Sequence, residues 1–534
     1  MTDRLIGLGT LVRLSLRRNR WFYLAWVLGL AVVAPATATA YETIIDPVNA
    51  DVLIATMTAN PTMRAMLGPP FDLSTPGGFT VWRVGTFIAT MAGLMALLGV
   101  IRSTRAEEEE GRVELVRSGV VGRDAPLLAG SLVALGACGA LGLLLTLSMT
   151  AVGTPLVGAV AFGLGTALVG AVFVGVGAVT AQLSATARSA RALALWVLAG
   201  AYVLRALADG AAEDSALGPW AWLSPLQWMA LTRPYAGERW AVLLLPAVVT
   251  VALLGLAVVL EGRRDHGSGL RPSRTGPDRA GAALGTPLGL SWRLHRGSLL
   301  GWTVGMVLFG LAMGSLSTSF GDMLSESPVL EDIFRRMGGG TEQLTDAFFV
   351  AMLGIIAVLM GVLAVLVFQR LATEERRGHA ELVLATAASR RGLLASHAVL
   401  AAVAPAVLLA LVGALLAVAY ARSTGDWSEL ARVAGAALAL APGGLLVLGL
   451  AVLLHGWAPR FTWLVWVVVG WSLFMIWVGA TLGLPDWLTR LTPWAPLPQL
   501  PVDPMSWPPV LGVLTAAAVL GALGTIGYTR RDIT

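Results

Sequence analysis

No lysine occurs among the 534 residues; all 37 basic side chains are arginine. A Walker A loop, which needs its lysine on the nucleotide phosphates, is therefore excluded, as is Schiff-base or lysine general-base chemistry. Cysteine is nearly absent too. The single Cys138, set in an apolar run, can form neither an intrachain disulfide nor a cysteine metal cluster. Charge is scarce, at 13% of residues against roughly 25% in soluble domains. So little charge cannot coat a water-soluble surface of this size. Disorder is excluded as well, because it needs low hydrophobicity. The five histidines (His266, His295, His379, His397 and His455) are scattered. No HExxH, nucleophile elbow or clustered metal-ligand spacing appears, so no catalytic residue and no metal site is assigned.

What is present is hydrophobic: 56% of residues, with a mean hydropathy of +0.75. This predicts an all-α polytopic membrane protein. A net charge of +5 would suit nucleic acid, but the arginines flank apolar runs, so the partner they indicate is the lipid bilayer. Twelve runs near the required 20 residues occur, at 21–41, 82–102, 125–149, 155–183, 190–208, 240–261, 298–316, 348–369, 393–419, 430–454, 461–483 and 508–528. The first lacks a small-residue cleavage site and is followed by further spans, so it is not read as a signal peptide. An even number puts both termini on one side. Segments on that side hold 27 arginines and the opposite side ten, which predicts cytoplasmic termini. None of the 32 acids falls in the interior of these runs as drawn. Ion-coupled carriers usually need an intramembrane carboxylate, so the pattern argues against one.

The chain reads as a tandem duplication. Glu107-Glu108-x-x-Gly111-x-x-Glu114-Leu115-Val116 recurs as Glu374-Glu375-x-x-Gly378-x-x-Glu381-Leu382-Val383, 267 residues on. Arg263-Arg264-Asp265 recurs as Arg530-Arg531-Asp532 at the same spacing, and Pro61 matches Pro328. Ser15, Arg17, Arg20 and Trp26 pair with Ser291, Arg293, Arg296 and Trp302 after a short shift. The expected organisation is a six-span half over 1–261, a flexible linker over 262–290 rich in Gly, Pro, Ser and Arg, and a second six-span half over 291–534. Six spans per half makes the repeats parallel, with a pseudo-two-fold axis along the membrane normal.

The segment after the second run, and its copy after the eighth, carry the clearest signal. Residues 105–118 read as one helix, with Glu107, Glu110 and Glu114 on one face and Val113, Val116 and Val120 on another. In the copy Glu374, Arg377 and Glu381 are polar, and Ala380, Val383 and Ala387 apolar. An amphipathic helix beneath a membrane must bury its stripe. A solvated loop is the plain alternative; retention of the glutamates in both copies favours a docked protein, since acids are repelled by anionic lipid. At the N-terminus, Arg13, Arg17 and Arg20 share one face and Leu5, Leu8, Val12 and Leu16 another, as in an interfacial helix or simple positive-inside anchoring.

Two outer segments are dense in Trp and Pro. One holds Trp220, Trp222, Leu223-Ser224-Pro225 and Trp228, then Arg233-Pro234-Tyr235-x-x-Glu238-Arg239-Trp240; the other Pro485, Trp487, Leu491-Thr492-Pro493, Trp494 and Trp507. An aromatic belt accounts for them, and broken helices capping a cavity are the sharper reading. Within the runs, Phe87, Met91, Met95, Trp196, Tyr202, Phe349, Met352, Met360, Trp466 and Phe474 are candidates for a greasy substrate cavity, although lipid and helix packing account for most such residues.

The duplicated E-E-x-x-G-x-x-E-L-V loop resembles the first cytoplasmic loop of type-2 ATP-binding-cassette exporter permeases. The fused halves and the L-S-P-L-x-W and Y-A-G-E-R-W strings are similar to the polyketide-antibiotic exporter permeases, the tetronasin-resistance type among them. The resemblance implies a permease subunit, not an enzyme, that binds no cofactor itself. ATP and Mg would sit on two copies of a separately encoded ATP-binding subunit. The implied coupling residues are Glu107, Glu108, Gly111, Glu114, Leu115, Glu374, Glu375, Gly378, Glu381 and Leu382, with the glutamates meeting basic residues of that subunit. Arg376 and Arg377 stand where the first copy has Glu109 and Glu110, so the two docking sites are expected to be unequal. The implied activity is efflux of amphiphilic antibiotics by alternating access. An ion-coupled drug carrier and a polytopic membrane enzyme are the alternatives.

Overall fold

The computed structural model describes residues 2–45, 54, 58, 61–211, 217–265, 267–270, 278–325, 341–476 and 486–532. Among them there is no strand, and long apolar helices dominate. The protein is an all-helical, polytopic membrane protein. Ten helices among the described residues are long and apolar enough to cross a bilayer. Their outward faces carry exposed Leu143, Leu147, Leu244, Val248 and Val251. Such side chains would be costly in water and are at home in lipid.

The chain divides into two compact units, Met1–Gly276 and Pro277–Thr534. In the first, the spanning helices cover Leu8–Thr39, Pro76–Glu109, Ala125–Ala151, Leu156–Leu183, Ala187–Gly210 and Trp240–Arg263. The Leu156–Leu183 helix is central to it and packs on four of the others. Small residues let it come close: a Cβ on Gly142 would lie 2.5 Å from the Gly163 carbonyl oxygen, so two backbones cross where neither has a side chain. The core follows that axis through Phe162, Phe173, Met95, Leu141 and Leu145.

In the second unit the spanning helices cover Thr345–Arg376, Arg390–Arg422, Glu429–Trp457 and Trp507–Arg530. The expected run 298–316 lies within a 39-residue helix, Pro287–Ser325. The expected run 461–483 begins at the end of the short Pro459–Phe461 helix and continues in the Leu464–Phe474 helix, and 477–483, Trp477 included, falls outside the described residues. The Ala441–Trp457 and Trp507–Arg530 helices pack closely, and a Cβ on Gly449 would lie 2.7 Å from the Ala517 carbonyl.

Two expectations change. The N-terminal amphipathic stretch is not a separate interfacial helix. Leu8–Ala31 is continuous, and the arginine-bearing turns run straight into the first apolar run, because nothing between Leu8 and Ala31 breaks a helix except the tolerated Gly9 and Gly29. The 262–290 segment is not free along its length: the Gly267 and Leu270 N–H groups bond to Glu108 and the Gln182 carbonyl, and a helix has already begun at Pro287. Pro328, His266 and Pro485 lie outside the described residues, while Pro61 opens a short helix, Pro61–Leu67.

Candidate functional site

The two E-E-x-x-G segments form elbows. The Thr86–Ser103 helix stops at Thr104, whose backbone (φ −122°, ψ −83°) is not helical. A short helix, Arg105–Glu109, follows, then Gly111 at φ +72°, then Arg112–Arg117. The single helix expected over 105–118 is thus two. Gly111 takes a left-handed conformation that L side chains avoid, and it turns the chain. The turn separates Glu107 and Glu110 from Glu114, so the three do not share a face. In the second elbow the Thr341–Arg376 helix runs unbroken to Arg376, Gly378 turns at φ +73°, and His379–Leu384 follows. The short helices after the two glycines coincide residue for residue at the 267 spacing.

The leading glutamates are bound within the chain. Glu107 takes two hydrogen bonds from Arg112, Nε at 2.6 Å and Nη2 at 2.9 Å, and pairs also with Arg18. Glu108 is gripped by Arg264 at 2.6 and 2.7 Å, by Arg105 at 2.9 Å and by the Gly267 N–H at 2.8 Å. Glu109 accepts the Ala187 N–H at 2.9 Å, at the start of the Ala187–Gly210 helix, and Glu110 pairs with Arg112. In the copy, Glu374 pairs with Arg370 at 2.7 Å and with His379 Nδ1 at 2.8 Å. Glu375 pairs with Arg531 Nη2 at 2.5 Å and with His455 Nε2 at 3.1 Å. The sequence reading set these four glutamates against a partner's basic residues. Each has basic partners in its own unit: local ones for Glu374, Arg18 and Arg112 for Glu107, and for Glu108 and Glu375 the Arg264 and Arg531 landmarks, which reach the elbows from the ends of the last helices.

Burial alone would push the Glu108 carboxyl up, since a charge is costly away from water. Hydrogen bonds from Arg264 and the Gly267 N–H, with the charges of Arg264 and Arg105, outweigh that and hold it down to about 2.

The far side of each elbow is open. Glu114 and Leu115 are exposed, Leu115 at 78%; Glu381 and Leu382 are exposed, Leu382 at 71%. Val113 is half-buried and Ala380 buried, so the inward face of each short helix is the apolar one. Val120 and Ala387 lie beyond the short helices, exposed, and do not extend that face.

The cavity candidates scatter within their units. Met95, Phe349 and Met360 are buried in packing; Met91, Tyr202 and Met352 are half-buried; Phe87, Trp196, Trp466 and Phe474 are exposed. Phe349 packs edge-on against Tyr420 at 5.6 Å, and Trp466 Nε1 donates to Gln369. Met360 lines a cavity of about 20 Å³ with Ala357, Ala364, Pro405 and Leu409. The first outer segment is broken into short helices, Gly218–Leu223, Gln227–Leu231 and Trp240–Leu243, with Trp228 buried and donating to the Trp222 carbonyl; of the second, Asp486–Thr489 forms one short helix.

Sequence reasoning missed one buried charge cluster. Asp209 lies one residue past the expected run, yet within the Ala187–Gly210 helix, buried with Arg205. Arg205 donates to Asp209 at 3.2 Å and to the Ala65 and Met66 carbonyls at 2.7 and 2.9 Å; Gln227 donates to the other Asp209 oxygen at 2.9 Å. The signal was the Arg-x-x-x-Asp spacing at the end of an apolar run, which puts both side chains on one helical face.

Fold and elbows together define a polytopic helical membrane protein with a duplicated charged joint. Residues 284–529 match the family described as multidrug efflux system permease Rv1217c, C-terminal domain. Over 529 residues the chain is 40% identical to the multidrug efflux system permease protein Rv1217c of Mycobacterium tuberculosis (strain ATCC 25618 / H37Rv), covering 98% of this chain and 94% of that one. The chain belongs to this family of efflux system permeases. It is a permease, a transporter subunit rather than an enzyme.

Proposed function

We propose that the chain is the membrane subunit of an ATP-driven exporter, and that its elbows dock two copies of a separately encoded ATP-binding subunit. The observation that carries this is the pairing of rigid base and open tip. Glu108–Arg264 and Glu375–Arg531 fix the two elbows to the last helix of their units, while Glu114-Leu115 and Glu381-Leu382 stand free at the same register. Interface anchors are apolar groups with a polar rim, and a firmly held base lets a push at the tip reach the spanning helices. ATP and Mg belong to the partner, because a chain without lysine has no Walker A site. The relative's printed name speaks of multidrug efflux. By extension the substrates here are amphiphilic drugs, of which polyketide antibiotics are one class. The frame is twelve spans in two parallel six-helix repeats, in the bacterial inner membrane with both termini cytoplasmic.

Glu114→Arg with Glu381→Arg should release the ATPase on co-purification while the permease still elutes as a folded species; retained binding would defeat the docking assignment. Asp209 is the observation in favour of an ion-coupled carrier, since buried acids in spanning helices serve such carriers. Its carboxylate is already matched by Arg205 and Gln227. Drug export into vesicles that collapses with a proton uncoupler, and needs no ATPase, would establish the carrier reading instead.

A further inference from the structure

The two elbows are built on one plan but held by different cations. In the first, arginine holds both glutamates: Arg112 and Arg18 on Glu107, Arg264 and Arg105 on Glu108. In the second, the position of Arg112 is taken by His379, which bonds Glu374 from the same place in the fold. The position of Arg105 is Ala372, and the second side chain on Glu375 is His455 of the Ala441–Trp457 helix. Arginine stays charged at every physiological pH, whereas histidine changes charge between about pH 5 and 8.

We propose that the second elbow is a proton-sensitive joint and the first is not: with His379 and His455 protonated the second elbow is clamped to its unit, and with them neutral it loosens. The surroundings keep the clamp local. His455 is buried; it stacks on Tyr528 at 5.7 Å and meets the edge of Phe368 at 5.6 Å. The charged and titratable groups about it are Glu375 from the Thr341–Arg376 helix, Tyr528 and Arg531 from the C-terminal end, and Arg390, whose guanidinium holds the Arg531 carbonyl at 2.8 Å. Arg460, on the next turn, stacks on Phe461 at 4.9 Å. About Glu374 and His379 stand Arg370, the exposed Arg376, Arg377 and Glu381, and a buried pair of rings, His295 and His397, 5.4 Å apart. His295 faces two carbonyl oxygens, of Ser291 and Val367.

A neutral His455 still donates from Nε2 to Glu375, and Arg531 and Arg370 keep both glutamates paired. Loss of charge assistance therefore weakens the clamp without releasing it, by roughly fivefold in local opening. If the elbows dock an ATPase as proposed above, the cell interior's pH sets how stiffly the second half follows it.

The test needs no ATPase, so its outcome is separate from that of the docking assignment. The full chain in lipid nanodiscs is followed by hydrogen exchange from pH 5.5 to 8.5, with protection factors corrected for the intrinsic rate. Protection over 374–389 should fall roughly fivefold with rising pH while 107–122 stays flat. His379→Arg, copying the first elbow at an exposed position, combined with His455→Arg, should remove the dependence; His379→Gln combined with His455→Gln should hold the elbow at its high-pH level throughout. A flat profile in both elbows, equal slopes in both, or a slope that survives in the arginine or glutamine variants overturns the proposal.

Discussion

Glu375 and Arg531 meet at 2.5 Å, 156 residues apart in sequence, and tie the second elbow to the residue that follows the last helix. One period earlier Arg264 holds Glu108 by the same geometry, also across 156 residues. A pair repeated at one spacing and one place marks a joint that each half needs for itself.

Arg264→Ala should therefore destabilise the chain by about 2 kcal/mol, since it leaves the buried Glu108 carboxylate with only Arg105 and the Gly267 N–H. Both side chains of that pair are only 6% exposed. Arg531→Ala should cost less, because Arg531 is more exposed and His455 remains on Glu375. Thermal unfolding in detergent, read by helix content, gives the order; equal losses would contradict it.

The first elbow should yield to acid. The Glu108 carboxyl titrates lower in the folded chain than in the unfolded one, so its stabilisation is complete above the ordinary value of 4.5 and is lost as pH falls from there toward about 2. Glu108→Gln should be less stable than the parent near pH 6. The difference should shrink between pH 4.5 and 2, seen as converging unfolding midpoints.

Gly111→Ala and Gly378→Ala should each cost about 1 kcal/mol, through backbone strain alone. A Cβ at either place meets nothing within 4 Å, so no packing is disturbed. Asparagine, which tolerates the left-handed region, should recover most of the loss. Midpoints of the alanine and asparagine variants check this.

Arg205→Met leaves Asp209 buried and uncompensated and should cost about 3–5 kcal/mol. Adding Asp209→Leu should recover only part. Arg205 also satisfies the Ala65 and Met66 carbonyls, and these stay orphaned in the double variant. Full recovery in a double-mutant cycle would show that the carbonyl bonds carry no weight.

Composition made the class of fold legible, because a chain this poor in charge has no other way to bury its surface. The elbows were legible too, since Glu-Glu-x-x-Gly at one spacing is a local pattern. What the pattern hid was distance. Arg264 and Arg531 read as landmarks of duplication, and their grip on Glu108 and Glu375 is a tertiary contact that no local window contains. Gly111 and Gly378 were legible as members of the repeated pattern, yet the turn they make, splitting 105–118 and moving Glu114 away from Glu107, depends on φ. Asp209 was hidden by one residue: a run drawn to 208 stops short of it, while the helix continues to Gly210.

The two halves also differ as levers. The first spanning helix to meet an elbow ends at Thr104, so a force on the joint passes through a hinge before it enters the bilayer. The second is a single 36-residue rod from Thr341 to Arg376, about 54 Å long at 1.5 Å per residue. The same stroke from below would be absorbed in part on one side and delivered whole to the opposite membrane face on the other, so a symmetrical motor would drive an asymmetrical opening.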